Sequence, residues 1–274
     1  MHLVAGFETV LDEPMKVVGL MPAAGRATRL APLPCSKELY PIGFHRIGAD
    51  GRHRPKVVCH HLLENMRLAD VRQTFVIIRR DKGDIPAYLA DGATLDMNLA
   101  YVVVDLPYGI PYTVDQAYPF IKDSIVTFGF PDVLFEPKNA FCHLLKHLQA
   151  SRAELVLGLF PSSHPQKMDM VDIDRQGRIR GIQVKPEKTD LQFSWIIAVW
   201  TPAFSSFLHD FVLHDRMNRP SEQNGAPFEE VQMSTVIQQA LRDKMPMATQ
   251  IFPNGQCIDI GTPEDLVKAL NLAC

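Results

Sequence analysis

The sequence predicts an α/β protein, a Rossmann-like three-layer α/β/α fold with a mixed, mostly parallel sheet and a small β appendage. Three observations carry that expectation. Apolar strand-like runs alternate with stretches of helical periodicity through residues 17–160. The strand-like runs are apolar throughout, as in strands covered on both faces. After residue 160 the pattern turns to a hairpin followed by mixed elements. With 274 residues, 46% of them hydrophobic, the chain has ample material for a core.

The elements follow in order. Residues 17–21, 74–78, 99–104, 124–128 and 154–160 read as strands. Val58, Leu62, Met66 and Ala69 fall on one helical face, as do Phe141, Leu144, Leu145 and Leu148. Residues 43–55 interrupt the first crossover as a basic insertion with Arg46, Arg52, His53 and Arg54, and Gly48 with Asp50-Gly51 suggests a hairpin tip. This segment is either an arm over an anionic site or a surface hairpin or subunit contact. Residues 170–173 and 179–184 form a hairpin around the turn Asp174-Arg175-Gln176-Gly177, and 193–200 is a further strand. A helix starts at Pro202 and runs toward His214, residues 216–227 form a loop, and 229–244 is helical. Thr262-Pro263-Glu264-Asp265 supplies a cap, a Pro and first-turn acids for a last helix that turns Leu266, Leu270 and Ala273 inward. No internal repeat or low-complexity linker divides the chain, so residues 1–274 read as a single domain with halves 17–160 and 161–274.

Composition narrows the function. A net charge of -3 argues against a general nucleic-acid binder, which needs a basic face. No apolar run approaches the roughly 20 residues of a membrane helix, and residues 1–14 carry acids rather than the basic start of a secretory signal. Five scattered cysteines without a Cys-x-x-Cys fit reduced thiols in a cytoplasmic protein. Cys59-His60-His61 and Cys142-His143 match no zinc spacing and read as ordinary helix residues; Lys167 and residues 175–180 read as surface charge on the hairpin.

The most informative stretch is Gly25-Arg26-Ala27-Thr28-Arg29-Leu30-Ala31-Pro32, followed by Ser36-Lys37-Glu38-Leu39-Tyr40-Pro41. It comes directly after the first strand. Small residues let backbone N–H groups approach an anion, and Arg29 and Lys37 add positive charge, an arrangement suited to polyphosphate. Asp132 lies just beyond another strand, where ligands bind in open α/β sheets, and Asp259 sits in a similar position. Two carboxylates suit Mg²⁺, which takes few protein oxygens and leaves places for phosphates and water.

These stretches resemble the signature of the sugar-1-phosphate nucleotidyltransferases, among them the bacterial UTP:glucose-1-phosphate uridylyltransferases and glucose-1-phosphate thymidylyltransferases. Phe130-Pro131-Asp132-Val133, Lys185-Pro186, Glu230-Val231-Gln232-Met233-Ser234-Thr235 and Ile258-Asp259-Ile260-Gly261-Thr262-Pro263 resemble later segments of that family in the same order. The resemblance implies attack of a sugar 1-phosphate on the α-phosphorus of a nucleoside triphosphate, UTP or dTTP with glucose 1-phosphate or a related sugar, releasing pyrophosphate. It implies that Arg29 and Lys37 grip the triphosphate, that Lys185 holds the sugar phosphate, and that Asp132 and Asp259 hold Mg²⁺. Ala24, Gly25, Arg26 and Gly109 would contact the nucleotide. Relatives are commonly dimers or tetramers, and a homo-oligomer is expected here on that ground.

Three positions depart from the family pattern. Ala27 stands for its second glycine, beside a bulky Arg26. Gln183-Val184 precedes Lys185, where the family carries an acid that recognises sugar hydroxyls. Gly109-Ile110-Pro111-Tyr112 replaces its Gly-Leu-Ala-x-Ala base loop. The departures touch specificity elements and motivate a rival expectation, a non-catalytic homologue that binds a nucleotide or NDP-sugar and regulates a partner. An NAD-binding dehydrogenase fits poorly, because the Gly-x-Gly-x-x-Gly spacing is absent and no acid follows at the right distance on a second strand.

Overall fold

Alternation within single strands decides how the layers form. In the computed structural model, which describes residues 15–46, 52–105, 108–219 and 230–273, the first strand is β1 (Val17–Pro22). Its Val18 and Leu20 enter one apolar layer and its Met21 the other. The hairpin β2 (Pro41–Arg46) and β3 (His53–Val57) leads into α1 (Val58–Leu68). Then come β4 (Gln73–Arg79), α2 (Asp84–Leu89), β5 (Asn98–Val104), α3 (Ile110–Asp115) and α4 (Tyr118–Ile121). They are followed by β6 (Ile125–Gly129), β7 (Val133–Glu136), α5 (Ala140–Ala150) and β8 (Leu155–Pro161). The remaining elements are β9 (Met170–Ile173), β10 (Ile179–Gln183), β11 (Phe193–Trp200), α6 (Pro202–Asn218), α7 (Met233–Arg242), β12 (Met247–Ile251), β13 (Gln256–Asp259) and α8 (Pro263–Ala273).

One mixed sheet runs through both halves of the chain, in the order β10-β9-β11-β6-β1-β4-β5, with β8 and then β12 branching from β11. The strands β6, β1, β4 and β5 are mutually parallel, and β11 is antiparallel to β6 and β8. Leu62 and Met66 of α1 and Phe141, Leu144 and Leu148 of α5 build the apolar layer on one face. Tyr112 of α3, Phe204 and Leu208 of α6, and Val236 and Ile237 of α7 build the layer on the other. The three-layer expectation is met. The small extra sheets are the ribbons β2–β3 and β7–β13, while the hairpin β9–β10 lies at the margin of the main sheet.

Several elements differ from the sequence expectation. The helix expected to run from Pro202 toward His214 continues to Asn218, and Asp215 pairs with Arg219 one turn on at its end. Residues 220–227 of the expected loop lie outside the described residues, as do the hairpin tip at Gly48, Asp50 and Gly51 and the side chain of Ala273. The helix expected over 229–244 is limited to Met233–Arg242. Strands β7, β12 and β13 carried no clear signal, being four or five residues long and partly polar. None of the described residues of 43–55 lines the candidate clefts described below. No helix among the described residues is long and apolar enough to cross a membrane.

The first turn of α1 buries Cys59 and His60 and half-buries His61. Burial pushes the Cys59 thiol well up. It also pulls His60 down to about 4, helped by the nearby His45, and His61 down to about 4, helped by Lys56. The His45 ring lies 4.8 Å from that of His60, and its Nδ1 is 3.1 Å from Glu64 Oε1. Among the described residues no three His, Cys, Asp or Glu converge as a metal-ligand set.

These histidines give the fold an acid limit. Between their ordinary value of about 6.5 and their folded value of about 4, the unfolded chain binds protons that the folded chain does not. Stability is therefore lost as pH falls through that window. Urea denaturation at pH 5 should give a stability lower than at pH 7 by on the order of 2 kcal/mol, and His60→Gln should reduce the difference. An unchanged difference in the variant would remove His60 from this account.

Candidate active site

Parallel strands β1, β4, β5 and β6 end on one side of the sheet, and the loops after them carry most of the polar side chains singled out from the sequence. Two clefts adjoin there and share Ile110 and Glu230. The smaller, of about 200 Å³, is lined by Ala24, Gly25 and Arg26 after β1, by Gly109 and Thr113 at α3, and by Arg79 and Asp105. The larger, of about 400 Å³, is lined by Arg29, Lys37, Asp132, Lys185 and Asp259, and also by Lys167, Asp169, Trp195 and Glu230. The structure thus brings together every sequence-predicted site residue, four in one cleft and five in its neighbour.

Backbone geometry explains the glycine before α3. Gly109 has φ of +101°, and a Cβ there would meet the carbonyl oxygen of Val231 at 2.2 Å. Gly109 and Val231 form a parallel bridge, with Val231 N–H donating to the Tyr108 carbonyl at 3.0 Å. The loop after β1 turns at Ala27, which holds φ of +52° and whose carbonyl accepts from the N–H groups of Leu30 and Ala31. The left-handed conformation that glycine favours is therefore kept by alanine.

The two acids meet through a ribbon. Strand β13 pairs antiparallel with β7, placing Asp259 opposite Val133, and Ile260 N–H donates to the Asp132 carbonyl at 3.0 Å. Burial first, and then the nearby charge of Asp132, raise the Asp259 carboxyl above its ordinary value, against the opposing pull of Lys37 and Arg29. Gly261 N–H donates to Asp259 Oδ1 at 2.9 Å. A Cβ on Gly261 would stand 2.7 Å from Arg29 Nη2, so the bare glycine lets the guanidinium lie against this turn.

Lys37 is ion-paired to Asp132, and both side chains are mostly buried. Burial pulls the Lys37 ammonium down, but Asp132, Glu38 and Asp259 outweigh it and the net shift is upward, so the charge is retained at neutral pH. The short 3₁₀ turn Lys37–Leu39 is clamped by Lys82, just before α2, and by Asp84, the first residue of α2. Asp84 accepts from Ser36 N–H at 2.6 Å and from Ser36 Oγ at 2.7 Å. Burial disfavours its charge, yet these hydrogen bonds hold Asp84 below the usual carboxylate range. Lys82 donates to both oxygens of Glu38 at 2.8 and 2.9 Å, and Glu38 is only 1% exposed. Nothing local in the sequence marks Lys82 or Asp84, since both reach the turn from over 40 residues away.

Lys167 corrects the sequence reading. Rather than decorating the hairpin surface, it lines the larger cleft and bonds Asp265 of α8 at 2.5 Å. The cleft walls carry Arg29, Lys37, Lys167 and Lys185 against Asp132, Asp169, Glu230 and Asp259. Such a balanced set attracts a polyanion poorly by itself. Asp132 and Asp259 together offer hard carboxylate oxygens, the donor set for a divalent cation whose remaining positions go to phosphate and water.

The nucleotidyl transferase family model matches residues 18–274. A low-salt glycan biosynthesis nucleotidyltransferase from Haloferax volcanii is 22% identical over 258 residues, covering 93% of this chain and 65% of that protein. A glucose-1-phosphate thymidylyltransferase from Streptomyces griseus is 23% identical over 199 residues, covering 70% of this chain and 50% of that protein. The chain thus spans between half and about two thirds of the length of these relatives. Among solved structures, a Bacillus anthracis protein assigned as a glucose-1-phosphate thymidylyltransferase superposes with a TM-score of 0.76 at 18% identity, covering 94% of this chain and 95% of that one. A UDP-glucose pyrophosphorylase bound to UDP-glucose superposes with a TM-score of 0.72 at 16% identity, covering 94% and 98%.

The clamp on Lys37 has a measurable signature. Lys82→Met leaves the buried Glu38 carboxylate without its partner and should lower stability by roughly 3–5 kcal/mol in urea denaturation. Adding Glu38→Leu should recover most of that loss, because the desolvated charge is gone. Additive losses in the double variant would mean that the pair is not coupled.

Proposed function

The chain belongs to the nucleotidyl transferase family, and from that membership we propose that it joins a sugar 1-phosphate to a nucleoside triphosphate, giving an NDP-sugar and pyrophosphate. UTP or dTTP with glucose 1-phosphate or a related sugar is the substrate pair favoured by the motif resemblance and by the names of the relatives. One observation carries the reading. Arg29, Lys37, Asp132, Lys185 and Asp259, drawn from across the sequence, line a single cleft beside a second one lined by Ala24, Gly25, Arg26 and Gly109.

The smaller cleft is assigned to the nucleoside and the larger to the phosphates and the sugar. Lys185, at a strained φ of +41° after β10, presents its ammonium to the incoming sugar phosphate. A phosphate monoester is already largely dianionic near neutrality, its second pKa being about 6, so its oxygen attacks the α-phosphorus without a general base. The protein has to align two anions and offset the charge that grows on the leaving pyrophosphate. Arg29 and Lys37 supply that positive charge. Lys37 leaves Asp132 to reach the triphosphate, and Asp132 and Asp259 would then hold Mg²⁺. Held there, the cation would supply the neutralising charge that the balanced cleft lacks. The cysteines among the described residues Cys35, Cys59, Cys142 and Cys257 are free thiols, which suits the reducing cytoplasm.

A binder that only regulates a partner has no need of two mutually repelling carboxylates, and their retention favours catalysis. Incubating the protein with Mg²⁺, each common nucleoside triphosphate and a panel of sugar 1-phosphates should release pyrophosphate, and Asp132→Ala should not. Nucleotide binding without turnover on any pair would establish the regulatory homologue instead. Lys37→Ala should lower turnover by about a hundredfold or more. Intact turnover in that variant would remove Lys37 from the triphosphate site.

A further inference from the structure

One wall of the larger cleft carries a polar chain that the proposed reaction does not use. Trp195 Nε1 donates to Ser234 Oγ at 2.8 Å, and Ser234 Oγ donates in turn to Asp169 Oδ2. Ser234 is fully buried and Trp195 nearly so. The second carboxylate oxygen of Asp169 is buried and has no hydrogen-bond partner among the described residues. A carboxylate oxygen only accepts, and leaving one buried without a donor costs about 1–3 kcal/mol. Such an atom is kept where something absent from the free protein satisfies it.

The surroundings indicate what that is. Asp169 directly precedes β9, and it lines the same cavity as Lys185, Phe130, Trp195 and Ile196. Phe130 and Trp195 pack together, ring centroids 5.6 Å apart, and give this part of the wall an apolar surface. An acceptor beside an apolar wall, with an ammonium in the same cleft for a phosphate, suits a polyhydroxylated ring bearing a phosphate. The chain also lacks an acid before Lys185, where Gln183 and Val184 stand. Asp169 is a carboxylate placed in that cleft from another strand.

We propose that Asp169 is a specificity-determining residue of the second-substrate site, its free oxygen accepting a hydrogen bond from a sugar hydroxyl, with Ser234 and Trp195 fixing its orientation. This rests on the reading that the larger cleft takes a sugar phosphate. It places sugar recognition on the residue before β9 instead of on the strand end before Lys185. The substrate class it selects is a hexose 1-phosphate with an unmodified hydroxyl facing Asp169.

The test is calorimetric titration of the full chain with glucose, galactose, mannose and N-acetylglucosamine 1-phosphates, and with inorganic phosphate as the probe lacking a sugar. At least one sugar phosphate should bind more tightly than phosphate. Asp169→Asn keeps the shape and an acceptor for Ser234 but turns a donor toward the sugar. It should weaken the tightest sugar phosphate by about ten- to a hundredfold, the range for one hydrogen bond to a charged acceptor. Inorganic phosphate and nucleoside triphosphate should be held about as well as before. If Asp169→Asn does not fold, Asp169→Ser, which leaves a hydroxyl for Ser234, should show the same selective loss. Equal weakening of phosphate and sugar phosphates, unchanged sugar binding, or a wild-type protein that prefers no sugar phosphate would each overturn the proposal. Pyrophosphate release by the wild-type protein is scored separately. A protein that binds sugar phosphate through Asp169 yet turns nothing over would sink the transferase reading and leave this one standing.

Discussion

The pairing of β13 with β7 is the constraint on which the candidate site depends. It carries a residue near the end of the chain to the loop after β6, and the Ile260 N–H to Asp132 carbonyl bond closes the ribbon beside the two carboxylates. Side chains on a strand alternate in direction, so a slip of one residue would turn Asp259 away from Asp132. The consequence of holding them together is visible in Asp259, whose carboxyl is raised by burial and then by its neighbour. Lys37 and Arg29 offset that repulsion. Lys37 in turn keeps its position through Ser36 on Asp84 and Glu38 on Lys82. The site is a chain of polar contacts that runs outward from Asp259 through Lys37 and its turn to Asp84 and Lys82.

Much of this was legible in the sequence, for identifiable reasons. The strands of the sheet centre show as apolar runs because both faces are covered, and Val18, Leu20 and Met21 divide between the two layers. The stretch after β1 shows because it combines small residues with Arg29 and Lys37 immediately after a strand. Strands β7 and β13 did not show, since each is four residues long and gains its stability from the other. Asp84, Lys82 and Asp169 act through contacts with residues distant in sequence, and no local pattern announces such contacts. Lys167 was misread for the same reason, its partner Asp265 lying 98 residues further on.

The departures from the family pattern sort by whether backbone or side chain carries the function. Ala27 replaces a glycine yet keeps the positive φ, and its carbonyl still closes the turn onto Leu30 and Ala31. The backbone around Gly25 therefore keeps its course toward the smaller cleft. Gly109 admits no such replacement, because the Val231 backbone occupies the space of its Cβ. Where a side chain carries the function the chain has changed more freely. Arg26 now lines the smaller cleft together with Arg79 and Asp105, and no acid stands before Lys185.

Perturbed ionisation alone does not locate this site. Cys59, His60 and His61 are displaced strongly, and in each the largest cause is burial. None of the three lines either candidate cleft. They are charge-averse because the first turns of α1 are packed into the protein, which is a property of the fold. Asp259 and Lys37 also feel burial first and charged neighbours second, but their neighbours include one another and Asp132, and all three line one cavity. A structure gains nothing in stability by pressing two carboxylates together, so their retention beside a cleft argues for a ligand that brings the missing charge. The discriminating mark is convergence of opposed charges on an open volume, and among the described residues the walls from Arg29 to Asp259 carry it.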